Sequence, residues 1–195
     1  MTQRFFQIAF TPTVSELQQE TYGRSQAVAS ETLESDELRP REREFIALRD
    51  SFYLGSVGET GWPYVQHRGG PAGFLKVIDA HTLAFADFQG NRQLVTAANT
   101  RTDPRVSLFL MDYAGRRRLK ILGRTTFVSA ADDPELVAAV ADPAYDAVIE
   151  RVAKIHVEAY DWNCPQHITQ RFSAAEVDAH VATLRKRIQE LETFG

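Results

Sequence analysis

Four short stretches of this sequence concentrate side chains able to do chemistry. In Tyr64-Val-Gln-His-Arg-Gly-Gly-Pro71 a strand-like run meets two glycines. The two-residue period of a strand puts Gln66 and Arg68 on one face, where their polar heads converge on a ligand or on solvent. Gly69 and Gly70 allow a ligand or another backbone to come close; an exposed strand face ending in a glycine turn is the competing reading. In Phe85-Ala-Asp-Phe-Gln-Gly-Asn-Arg-Gln93 a strand ends, turns and opens a helix. Free N–H groups at a helix start suit a phosphate, and Arg92 adds charge and paired hydrogen bonds. A Gly-Asn turn with a solvated arginine is the alternative there.

The third stretch is Arg116-Arg-Arg-Leu-Lys-Ile-Leu-Gly-Arg124. As a strand it presents Arg118 and Lys120 on one face, and Arg117, Leu119 and Ile121 on the other. Charged runs commonly keep an edge strand soluble, but basic residues recur here in three separate strand-end segments. The fourth is Tyr160-Asp-Trp-Asn-Cys-Pro-Gln-His-Ile168, where Trp162 can stack on a planar ring and Gln166 or His167 can bond to its edge. Cys164 has no helix start or basic partner beside it and is read as inert rather than nucleophilic. No G-x-S-x-G elbow, H-E-x-x-H pair or Walker loop occurs, so the usual hydrolase and nucleotidase signatures are missing.

These residues need a scaffold, and 195 residues, 44% hydrophobic and 25% charged, suffice for one domain with its own core. A net charge of −4 argues against nucleic acid as a partner. The positive charge gathers between Arg92 and Arg124, which suits a small anionic ligand. No apolar run approaches the roughly 18 residues that span a bilayer, and no signal pattern opens the chain, so the expectation is a cytoplasmic protein without a membrane partner. One cysteine rules out an internal disulfide, and no zinc-type spacing is present, so no metal is expected.

The hydrophobic period predicts helices over Thr13–Ala29 and Arg41–Arg49, then strands over Ser51–Val57, Tyr64–His67, Phe74–Ile78, Thr82–Ala86, Val106–Met111 and Arg118–Val128. These six pair as three antiparallel hairpins, with a short helix over Asn91–Asn99, and favour a small antiparallel barrel. Helical stretches over Glu135–Ala141 and Ala144–Arg151 follow, then a returning strand over Lys154–Tyr160. Ser173-Ala-Ala-Glu176 is a capping box, opening an amphipathic helix over Ser173–Glu192 whose apolar side packs on the domain or on a dimer partner. The reading is one domain, 1–195, with an N-terminal helical extension, 1–40, and a C-terminal helix, 173–192.

Taken in order, the residues from about Phe45 to Ile168 resemble the pyridoxamine 5′-phosphate oxidase-like family of flavin-binding split barrels, most closely over Pro63–Arg68, Phe85–Arg92 and Arg117–Gly123. The resemblance implies a mainly β fold, a six-stranded antiparallel split barrel, and a homodimer holding FMN at the subunit interface. Where the family has an arginine three residues after a proline, this chain has Gln66 after Pro63; His67 and Arg68 follow, and Arg68 supplies the charge. The family's next lysine is Pro71 here. Its aromatic-Thr pair matches Phe85-Ala86, with Asp87 beside it, and its Ser-Arg-Lys matches Gly90-Asn91-Arg92. Arg118 stands where a glutamine reaches the flavin, and Arg117 holds the preceding arginine place. A cation near the ring would stabilise a reduced, anionic flavin.

The oxidases' terminal Arg-x-His has no match after Trp162, so the likeness is to the fold and flavin site rather than to the named oxidase activity. The implied phosphate contacts are Arg92, Asn91 and Arg68, with Ala86 and Asp87 at the backbone or ribityl chain and Gln66, Arg118, Trp162 and Gln166 near the ring. The expected function is an FMN-dependent oxidoreductase acting on a small substrate, served by a partner reductase where one is needed. The alternative is a non-catalytic flavin- or haem-binding carrier or sensor, with His67 or His167 as axial ligand.

Overall fold

Alternating burial along β1 (Ser51–Val57) turns Phe52, Leu54 and Ser56 inward and Tyr53 and Val57 outward, as a half-buried strand requires. The computed structural model describes residues 1–27, 31–90, 92–162 and 164–194. The chain divides into two compact units, Met1–Met111 with Arg118–Asn163, and Asp112–Arg117 with Cys164–Gly195.

The first unit is built on an antiparallel sheet. After β1 come β2 (Pro63–Gly69), β3 (Lys76–Val77), β4 (Thr82–Phe88), β5 (Arg105–Asp112), β6 (Arg117–Ser129) and β7 (Ile149–Trp162), in the spatial order β2-β1-β5-β6-β7-β4-β3. Phe52, Phe74 and Phe85 stack edge-on and face-on at its core, with Leu54, Leu108 and Ile155 fully buried around them. Leu83 and Phe85 of β4 enter this core. Ala84 and Ala86, on the opposite face, lie with Val152 under Val140 of α5 (Pro134–Val140).

Two irregularities bend β7. Asp87 pairs with Arg151 and Phe88 with Ile149, so Glu150 is the extra residue; Leu122 pairs with Ala159 and Gly123 with Val157, so Glu158 is another. Such bulges raise local twist and let a sheet curl. At Gly123 a Cβ would sit 2.6 Å from the His156 carbonyl oxygen, so only glycine fits. Arg4 and Arg124 hold the bulged Glu158; burial raises its pKa, but their hydrogen bonds outweigh that and hold the carboxyl below its usual range.

The sheet has seven strands rather than six. Each of the six expected hairpin strands has a counterpart, the expected Phe74–Ile78 reduced to Lys76–Val77, and the returning strand is far longer than its expected Lys154–Tyr160. The helix expected over Ala144–Arg151 does not form. The Asp142 side chain accepts the Ala144 N–H at 2.9 Å and its carbonyl accepts the Tyr145 N–H at 3.0 Å, which closes a turn, and β7 starts at Ile149.

The N-terminal extension contains α1 (Gln3–Ala9), which the hydrophobic period does not predict, and α2 (Pro12–Tyr22), shorter than the expected Thr13–Ala29, of which Val28 and Ala29 lie outside the described residues. Thr2 caps α1, and its one hydroxyl proton lies between the Tyr160 carbonyl, at 2.9 Å, and Asp36, pinning the helix to β7. Next comes α3 (Pro40–Ala47), and α4 (Val95–Thr102) follows β4 a few residues later than expected. No helix among the described residues is long and apolar enough to cross a membrane.

In the second unit, the β5–β6 turn is closed on Asp112, which accepts the Gly115 N–H at 2.7 Å and the Arg117 guanidinium at 2.7 and 2.9 Å. The helix α6 (Ala174–Phe194) starts at the expected capping box: Ser173 N–H donates to Glu176 at 2.7 Å, and Glu176 N–H to the Ser173 hydroxyl at 3.2 Å.

Candidate functional site

The alternation of β2 turns Tyr64, Gln66 and Arg68 to one half-buried face and leaves Val65 and His67 exposed on the other, where His67 meets Tyr53 edge-on. The first face forms one wall of a cleft of about 230 Å³. The end of β4 supplies Asp87 and Phe88, the following turn supplies Gly90, Arg92 and Gln93, and the start of α4 closes one side. Glu150 and Arg151 of β7 complete the lining.

The cleft is organised around one carboxylate. Asp87 is 6% exposed and receives Arg68 at 2.7 Å on one oxygen and Arg151 at 2.7 and 2.9 Å on the other. The Arg68 guanidinium lies 5.6 Å above the Phe85 ring, so the charged cluster seals the end of the apolar core. Glu150 takes a further bond from Arg151 at 3.2 Å. Arg68, Arg92 and Arg151 thus face two carboxylates, an excess of one positive charge. The Arg68 Nε is buried without a hydrogen-bond partner, which is costly unless a ligand or water supplies an acceptor.

The start of α4 adds neutral donors. Leu94 precedes it in the left-handed region at φ 57° with no side-chain cap, and the first helical hydrogen bond is Ala98 N–H to the Leu94 carbonyl. The N–H groups of Val95, Thr96 and Ala97 therefore have no acceptor within the helix, and those residues line the cleft. Thr96 is 1% exposed and donates to Gln66 at 2.8 Å, which fixes the helix start against β2. Arg92, at φ 60°, is also left-handed, and the two residues curl the turn around the cleft.

Of the residues singled out in the sequence, Gln66, Arg68, Asp87, Gly90 and Arg92 come together here. Asn91 lies outside the described residues. Phe85 and Ala86 are packing residues on opposite faces of β4. Arg118 is half-buried on β6, away from this lining, and its Nε also lacks a partner. Gln166, Cys164 and His167 are exposed in the second unit.

Trp162 is committed to a different cluster. Its indole N–H donates to Glu42 at 2.6 Å, Arg41 covers its ring at 4.2 Å, and Phe45 meets it edge-on at 4.8 Å. The nearby Tyr160 phenol is pushed up to about 12, chiefly by burial and then by the Glu42 charge.

Arg151 and Glu150 are cleft residues that the sequence does not single out, because its pattern there predicts a helix over Ala144–Arg151. The alternation Val157, Ile155, Ala153 of core-facing residues, carried back by two more, reaches Arg151 and puts it on the inward face.

A family model described as pyridoxamine 5′-phosphate oxidase matches residues 38–164. A structure from Lactobacillus delbrueckii, described as a pyridoxamine 5′-phosphate oxidase, is 17% identical, covering 66% of this chain and 97% of its own, with a TM-score of 0.51. HupZ from Group A Streptococcus is 13% identical, covering 69% and 99%, with a TM-score of 0.48. A general stress protein 26-related protein from Clostridium acetobutylicum is 14% identical, covering 70% and 94%, with a TM-score of 0.47. No curated protein sequence matches. The first of these likenesses shows the fold, a mainly β antiparallel split barrel with flanking helices.

Proposed function

The chain belongs to the pyridoxamine 5′-phosphate oxidase family, and from that premise we propose that it is a cytoplasmic, FMN-binding oxidoreductase whose cleft between β2, β4 and α4 holds the cofactor phosphate. One observation carries this reading: a cleft with an excess arginine, an unpaired buried Arg68 Nε and a ring of free helix N–H groups is chemically matched to a phosphate. Arg92 and Arg68 supply charged hydrogen bonds, Arg151 adds charge, and Val95–Ala97 supply backbone donors. When bound, the flavin ring supplies the hydride or electron exchange with a small substrate, and the protein orients it and excludes water.

A cleft of about 230 Å³ is smaller than the roughly 300–1,000 Å³ that enclose a drug-sized ligand, so it suits the phosphate end alone. The ring then needs a second wall, which supports a homodimer with FMN at the interface and gives Arg118, Trp162 and Gln166 a place only through the partner or not at all. The redox partner, a small substrate with or without a separate reductase, follows from the cofactor.

A visible absorbance spectrum of the purified protein, with the released small molecule weighed by mass spectrometry, tests the reading. Oxidised-flavin bands and the mass of FMN are expected. A Soret band would replace the reading with a haem carrier, and a protein that stays colourless after incubation with FMN would overturn it.

A further inference from the structure

The apolar stripe of α6 plays no part in the cleft. Val177, Leu184, Ile188 and Leu191 are 47%, 50%, 55% and 61% exposed, and no described side chain of the helix is buried. Most helical stability in proteins comes from packing an apolar face, and this 21-residue helix buries none of its own. The face is also unusually narrow. Ala174, Val177, Val181, Leu184, Ile188 and Leu191 follow one another by steps of three and four residues without a break. That is the 3.5-residue repeat of a coiled-coil seam; a helix packed on a globular core shows a wider stripe.

The residue types in that seam select a partner. Ala174, Val181 and Ile188 occupy the first apolar position of the three heptads, and Val177, Leu184 and Leu191 the second, so the last two heptads carry Val or Ile at the first and Leu at the second. β-Branched residues at the first and leucine at the second favour two parallel strands. In that arrangement Arg187 on one helix flanks the seam opposite Glu192 of the second copy, so two opposite-charge pairs form by symmetry. Lys186, Gln189 and Thr193 remain on the outer faces, as solvation requires. We propose that α6 pairs with α6 of a second copy of this chain as a parallel, two-stranded coiled coil. The proposal does not rest on the flavin reading.

The test uses the full chain carrying Cys164→Ser, so that an introduced cysteine is the sole thiol. Leu191→Cys lies in the seam and Lys186→Cys on the outer face. Under mild oxidation, most of the Leu191→Cys chain is expected to run as a covalent dimer on a denaturing gel, while Lys186→Cys stays monomeric. Adding Leu184→Glu and Ile188→Glu should abolish the Leu191 cross-link while leaving the thermal unfolding of the barrel unchanged. Failure of Leu191→Cys to cross-link, as for an antiparallel pair, a helix docked on its own barrel or a different protein partner, overturns the proposal. Equal cross-linking at both positions, or a cross-link that survives the two glutamates, overturns it as well. The readout needs no cofactor, so either reading can fail without the other.

Discussion

Two acid-centred clusters in the first unit resemble each other and end differently. Around Trp162, the Glu42 carboxylate divides its oxygens between the indole N–H and the Arg39 backbone N–H, and Arg41 closes over the ring. Around Phe85, Asp87 divides its oxygens between Arg68 and Arg151, yet the Arg68 Nε stays unpaired and Arg92 stays exposed. The first cluster is saturated and serves packing. The second keeps donors and charge in reserve, which is the physical difference between a joint and a binding site.

The largest expected effect comes from breaking the saturated cluster: Trp162→Ala should cost about 3 kcal/mol of stability, the low end of the core range because the ring is half-buried, by cavity formation and loss of the indole bond. Denaturant unfolding measures it, and FMN affinity measured at a temperature where the variant is folded should stay within a few-fold of the parent. Arg92→Ala should do the reverse, weakening FMN by about 1.5–3 kcal/mol, the worth of a charged hydrogen bond, with the melting temperature unchanged. Unchanged affinity in a flavin-fluorescence titration would remove Arg92 from the site.

Asp87→Asn sharpens the comparison, because it removes the internal competitor for Arg68 and Arg151. It should lower stability by about 1.5–3 kcal/mol through lost charged bonds and tighten binding of inorganic phosphate, read by calorimetry. Thr96→Val should cost about 0.5–1.5 kcal/mol, the worth of its one neutral bond to Gln66. The last effect is silent at neutral pH and appears only in alkali. Folding holds the Tyr160 proton up to about 12 against an ordinary 10.0, so the unfolded chain ionises first, and stability should fall as pH rises from 10.0 towards about 12. Tyr160→Phe should flatten that slope in pH-dependent melting curves.

Sequence alone made much of this legible wherever short-range physics decides. The hairpin strands follow from a period of two, and the α6 start from Ser173 and Glu176, each needing only neighbours. The convergence of Gln66 and Arg68 was likewise readable from strand alternation. Arg151 was not, since its place depends on β7 pairing with a strand more than sixty residues earlier in the chain, and the apparent helix around it yields to the Asp142 turn. The fate of Trp162 was equally hidden. An exposed aromatic awaiting a flavin and a half-buried one bonded to Glu42 look the same until α3 is seen to pack on the end of β7.

The bulge at Glu150 has a bearing on how this chain tolerates change. In an uninterrupted ladder, adding or removing one residue upstream would invert the phase of every side chain beyond it. Because the extra residue is absorbed immediately before Arg151, the alternation is reset there, and Arg151 takes its orientation from Asp87 rather than from the loop that delivers the strand. A change of length in the segment between α5 and β7 falls before the first β4–β7 pair, at Ile149, and leaves Arg151 on Asp87 as long as that pairing holds.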